Sequence, residues 1–158
     1  TGKLAVDLAR ELKAAAVADV GGGTHAAVAQ ELEALAKDIR FDWYGSESDD
    51  AFTAFSVALG GKDLTVENFR AATGTAADVE ITERDLEEFF TAMQDPDNVA
   101  EDGDRAKFAA LEQAMKAKLT GAKVFMVGGD DVVEGKVYFL GKTPQGDAAG
   151  LSATRIWT

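Results

Sequence analysis

The chain has 158 residues, 46% of them apolar, with 16 basic and 28 acidic side chains for a net charge of −12, and it contains no cysteine. That length and apolar fraction suffice for one well-filled core, while the lack of cysteine removes disulfides, thiolate nucleophiles and thiolate metal sites together. The negative balance speaks against nucleic acid as a ligand, because binding a polyanion draws its free energy from phosphates neutralised by Lys and Arg.

In chain order, residues 3–19 place Leu4, Leu8 and Leu12 at four-residue spacing in an alanine-rich context, the pattern of an amphipathic helix, and three glycines at 21–23 end it. A second helix is predicted with Val28, Leu32, Leu35 and Ile39 on one stripe. It runs up to the aromatic cluster Phe41, Trp43 and Tyr44, after which Gly45 opens the loop GSESDD. AFTAFSVAL (51–59), short, apolar and closed by two glycines, reads as a strand, and DLTVENFRAAT reads as a short helix. Thr82 is expected to cap a helix TERDLEEFF that ends near Met93, with Asp85 complementing its N-terminus.

After the loop QDPDNVAEDG (94–103), a long helix is predicted from about Asp104 to Leu119, with Phe108, Leu111, Met115 and Leu119 on its stripe and Gly121 as its stop. Three strands close the chain: AKVFMVG, GKVYFLGK and GLSATRIW. The first two are apolar on both alternating faces and need cover on both sides. TPQG suits a tight turn, with Pro144 presetting its second position and Gly146 at its fourth, so the last two strands are expected to form a hairpin. One early strand, three late ones and four or five helices predict an α+β fold: a three-layer α/β/α sandwich around a mostly antiparallel or mixed sheet.

No run of about 18 uncharged apolar residues offers a membrane span, and the first residues lack the order of a signal peptide. A cytoplasmic protein with no membrane partner is expected. The acidity is local: from Asp78 to Asp104 eleven acidic residues stand against one basic residue, Arg84. Such a run is ordinarily a solvated face; its sharper reading is a docking surface for a basic partner, since complementary fields speed association and select partners.

Motifs for chemistry are sparse. GKVYFLGKT resembles a phosphate loop, but five residues separate its glycines instead of four, and they are strand formers. His25 is the one histidine and can complete neither a metal triad nor a Ser/His/Asp arrangement. DPDNVAEDGD holds carboxylates at short spacing, yet Val99 stands where a calcium loop wants an oxygen ligand, leaving at most a weak site. The chain is expected to be no enzyme and to use no cofactor.

Taken together, WYGSESDDAFTAFSVALGG, the long helix of 104–119 and VYFLGKTPQGDAAGLSATRIWT resemble the nuclease A inhibitor family, acidic bacterial proteins that plug the active site of sugar-nonspecific DNA/RNA endonucleases. The resemblance covers roughly residues 24–158 and leaves 1–23 as an extra N-terminal helix and glycine linker. It implies an α/β/α sandwich similar to the plant pathogenesis-related-1 type and a metal-dependent nuclease as protein partner, the free inhibitor being a monomer. It also implies that Thr158, at the end of the last strand, approaches the nuclease's metal and that Glu47 of the SES loop reaches the same active site. In the family the loop between the third and fourth helices adds a glutamine and a tryptophan to the contact; here Asp97 and Val99 take those positions. A non-catalytic interaction module of the same fold with a different partner, recognised through Leu4, Leu8 and Leu12, is the alternative, and a hydrolase comes third.

Overall fold

The computed structural model describes residues 24–40, 51–129 and 134–156. The expected helix at 3–19, the aromatic cluster at 41–44, Glu47, Trp157 and Thr158 lie outside the described residues. Among the described residues there are four helices, α1 (Thr24–Leu35), α2 (Val66–Thr73), α3 (Leu86–Met93) and α4 (Asp102–Lys118). Five strands accompany them: β1 (Thr53–Val57), β2 (Ile81–Asp85), β3 (Thr120–Val127), β4 (Glu134–Lys142) and β5 (Ala148–Ile156). The strands form one sheet in the order β1-β5-β4-β3-β2, and each neighbouring pair is antiparallel, so the fold is α+β with an antiparallel rather than a mixed sheet.

Alternation along the central strands sorts their side chains onto two apolar faces, as their sequences predict. Val124, Met126, Val137, Phe139, Leu151 and Ala153 point into the larger core, where they meet Leu32 of α1, Phe89 and Phe90 of α3, and Phe108, Leu111 and Met115 of α4. Phe125, Leu140 and Ala148 point the other way, into a smaller cluster closed by Leu64 and by Phe69 of α2. Phe69 lies flat on Phe125, with ring centroids 4.8 Å apart and planes 5° apart. Thr65 caps α2 by accepting the Asn68 amide at 3.1 Å. The TPQG turn forms as expected: Gly146 N–H donates to the Thr143 carbonyl at 2.9 Å, joining β4 to β5.

Several expectations are corrected. Thr82 does not cap a helix; it lies in β2, whose backbone pairs with β3 from Ile81↔Val127 to Asp85↔Lys123. Asp85 is the cap instead, its carboxylate accepting the Glu87 amide at 3.0 Å, so the helix starts three residues later and the chain has two early strands. The long helix spans Asp102–Lys118, and it stops because Leu119 turns extended just ahead of β3. Gly121 therefore sits inside β3, where its φ of 61° accompanies the register shift between Thr120 and Lys123. In α1 the buried stripe is Val28, Ala29 and Leu32, continued by Ala36 and Ile39 beyond the helix, while Leu35 is 40% exposed.

Candidate partner-binding end of the sheet

β5 runs to Ile156, which faces Glu134 at the start of β4. β3 finishes at the same end with Val127, opposite Ile81 of β2, and Gly128 N–H donates to the Glu80 carbonyl at 2.8 Å. On the other side of β5, Thr53 pairs with Ser152, so Ala51, two residues earlier in β1's direction, enters the sheet beside the Ile156 end of β5. Ala51 also forms a bridge with Arg40. Arg40 and Ala51, the described residues on either side of residues 41–50, thus meet beside the end of β5.

Helix α4 approaches the same point. Lys107 Nζ lies 3.3 Å from Asp38 Oδ2 and Lys118 Nζ lies 3.3 Å from Glu31 Oε1, so α4 and α1 run antiparallel, with the first half of α4 beside residues 38–40. Phe52, buried next to Ala51, packs edge-on against Phe108 of α4, with centroids 6.3 Å apart. The loop 94–101 that feeds α4 is tightly built. Asp95 accepts the Asp97 amide at 2.9 Å on its side chain and the Val99 amide at 2.9 Å on its carbonyl. Arg105 donates to the carbonyls of Val99 at 2.6 Å and Ala100 at 2.9 Å, and pairs with Asp102. Asp97 is left exposed at the surface, while Val99 is half-buried against the larger core.

The acidic run looks different in space from its count in sequence. Four of its carboxylates pair with cations: Glu88 with Arg84 (2.9 Å), Glu83 with Lys123 (3.4 Å), Glu87 with Lys116 (2.9 Å), and Asp102 with Arg105. Three of those cations, Arg105, Lys116 and Lys123, come from outside the run. Asp85 caps α3, and Asp95 closes a turn by accepting the Asp97 amide. Among the described residues no ion pair holds Asp78, Asp97, Glu101 or Asp104, and the last three belong to the α3–α4 loop and the start of α4. Within the run, both carboxylates of α3, Glu87 and Glu88, are thus paired, while three that no ion pair holds among the described residues collect at the α3–α4 loop and the start of α4.

Behind the loop, Gln94 donates to Glu112 at 2.8 Å, and Lys116 bridges Glu112 and Glu87, both at 2.9 Å. Burial pushes the Glu112 carboxyl up, but the hydrogen bonds from Gln94 and Lys116 and the charge of Lys116 outweigh it and hold the group below the usual carboxylate range. Hydrogen bonds to Glu112 and Glu87 raise Lys116 in turn. This cluster fixes α3 against α4 and so holds both ends of the loop. The carboxylates of 95–104 do not gather for a cation: among the described residues no group of three His, Cys, Asp or Glu could hold a metal ion. No helix among them is long and apolar enough to cross a membrane.

One residue at this end escaped the sequence reading. Ala149, Leu151 and Ala153 face the larger core, and the next residue in that row is Arg155, which is 3% exposed. A period-of-two count continued past Ala153 would have flagged a cation in an inward position.

The end of β5, the Arg40–Ala51 bridge and the 94–101 loop thus lie at one pole of an α+β domain. A family model described as nuclease A inhibitor-like protein matches residues 26–158, and the chain belongs to that family. The comparison with curated proteins finds no match.

Proposed function

We propose that this protein is a non-catalytic inhibitor of a sugar-nonspecific, metal-dependent DNA/RNA endonuclease, working in the cytoplasm as a monomer until it meets its target. The observation that carries the reading is the family match joined to the convergence of Arg40, Ala51, the 94–101 loop and the end of β5 at one pole. A nuclease cleft is basic because it binds a polyanion, and Asp97, Glu101 and Asp104, which no ion pair holds among the described residues, complement it. In this reading Thr158 extends β5 into the cleft and offers oxygen to the nuclease's hard divalent ion in place of a substrate phosphate. Glu47, carried on a segment whose two ends are tied by the Arg40–Ala51 bridge, supplies a second anionic contact.

Asp97 meets the rim of the cleft, and Val99 contributes its exposed edge while anchoring the loop on the core. Contacts mounted on a sheet and on short, tied loops lose little entropy on docking, which favours a tight complex. Helices on both faces of the sheet support a three-layer α/β/α sandwich similar to the pathogenesis-related-1 type. The half-buried Val99, where the family places a tryptophan, favours one variant of this reading: a target whose rim differs from those of the family's usual partners. The test is titration of a purified sugar-nonspecific endonuclease, cleaving plasmid DNA with Mg²⁺, against this protein. Stoichiometric loss of cleavage is expected; undiminished cleavage at micromolar excess would refute the proposal.

A further inference from the structure

Arg155 ends the inward row of β5 with a charge where its predecessors are Leu and Ala, and a buried guanidinium is costly unless carbonyls or carboxylates receive its protons. Its Nη2 donates to the carbonyls of Gly128 at 3.2 Å and Gly129 at 3.1 Å, just beyond β3. To get there from β5 the side chain crosses β4, and it crosses where β4 has no side chain: Arg155 pairs with Gly135. A Cβ built on Gly135 would stand 2.8 Å from Nη2 and 2.5 Å from the Val127 carbonyl oxygen, so any other residue there would evict the guanidinium. One side chain thus spans three strands at the end of the sheet from which residues 157 and 158 continue.

We propose that Arg155 and the Gly135 slot form a latch that fixes the final turn of β5 and so sets the direction in which Thr158 is delivered to its partner. Arg155 is a positioning residue, acting through the strand end and not by touching the nuclease. The geometry of the latch stands on the distances above; its consequence for inhibition rests on the reading under Proposed function. Both bonds leave Nη2, one bond further from the backbone than the ammonium of a lysine would stand, so Arg155→Lys keeps the charge but falls short of the Gly128 and Gly129 carbonyls.

The experiment compares the full chain with Arg155→Lys and Gly135→Ala, each with and without Thr158→Ala. Amide hydrogen exchange along β5 and the inhibition constant against the same Mg²⁺-dependent endonuclease are both measured. With Arg155→Lys, exchange at residues 153–156 is expected to quicken while residues 149–151 stay protected, and the inhibition constant to rise about tenfold, the loss of one charge-assisted hydrogen bond. On the Thr158→Ala background the same substitution should add less than about twofold, because two residues acting through one contact are not additive. Unchanged exchange at 153–156 would overturn the latch, and an equal rise in both backgrounds would overturn its link to Thr158. If the unaltered protein fails to inhibit, the inhibitory reading falls, and the exchange data alone decide whether the latch exists. Should Gly135→Ala not fold, Arg155→Lys carries the test.

Discussion

Phe52 follows the Arg40–Ala51 bridge and roots it in the core, and its replacement offers a quantitative test. The ring is buried and makes three edge-on contacts, with Phe139 at 5.6 Å, Phe108 at 6.3 Å and Phe89 at 6.4 Å. Phe52→Ala removes the transfer free energy of a buried aromatic and leaves a cavity among rings already held by their own neighbours, a change that costs about 3–5 kcal/mol. Three quadrupolar contacts, each worth up to about 1 kcal/mol beyond area, put this site in the upper half, about 4–5 kcal/mol. Phe52→Leu keeps most of the apolar volume, loses the ring edges, and should cost about 1–2 kcal/mol. Urea denaturation followed by circular dichroism gives both values from the shift in midpoint at constant slope. A cost below about 1 kcal/mol for Phe52→Ala would show that the site collapses freely and that Phe52 is no structural link.

Gly150 lies between Phe55 of β1 and Leu140 of β4, and a Cβ there would come 1.8 Å from the Phe139 carbonyl oxygen. Backbone faces it, so Gly150→Ala should cost at least about 3 kcal/mol or abolish folding, as read from soluble yield and melting. The Glu112 carboxyl is held below its unfolded value, so its contribution is present above that value, about pH 4.3, and is lost as pH falls through the lowered one. Glu112→Gln should therefore lower stability at neutral pH and flatten the acid limb of a pH–stability curve; an unchanged limb would contradict the assignment. The raised Lys116 acts at the opposite extreme, its contribution fading only as pH climbs past about 10.4. Asp97→Lys reverses the charge of an exposed loop position and should slow nuclease association by about threefold to tenfold at low salt, with little effect at high salt, in stopped-flow mixing.

Where the sequence was legible, one physical rule dominated the local pattern. The central strands carry period-two apolar pairs on both faces, and β3 and β4 are covered on both faces as that pattern demands. The turn at 143–146 is written in Pro144 and Gly146. β2 was missed because an edge strand of charged residues, Ile81-Thr82-Glu83-Arg84-Asp85, shows no apolar alternation and sits where Thr82 imitates a cap; pairing with β3 decides it, and that partner is some 40 residues away. The acidic run misled in the same way, since Lys116 and Lys123 reach it only through the fold. Of the candidate contacts, Asp97 was visible as a loop carboxylate, while the inward face of Val99 and the burial of Arg155 depend on packing that no local window contains.

The most direct test of the account is the kinetic pattern of inhibition: initial rates of Mg²⁺-dependent DNA cleavage at several DNA and protein concentrations, for the unaltered protein and for Thr158→Ala. A plug in the active site raises KM and leaves kcat untouched, and loss of the Thr158 oxygen weakens it without changing that pattern. A fall in kcat at saturating DNA, or a Thr158→Ala protein that inhibits as well as the original, would contradict the claim that this strand end occupies the nuclease's catalytic cleft.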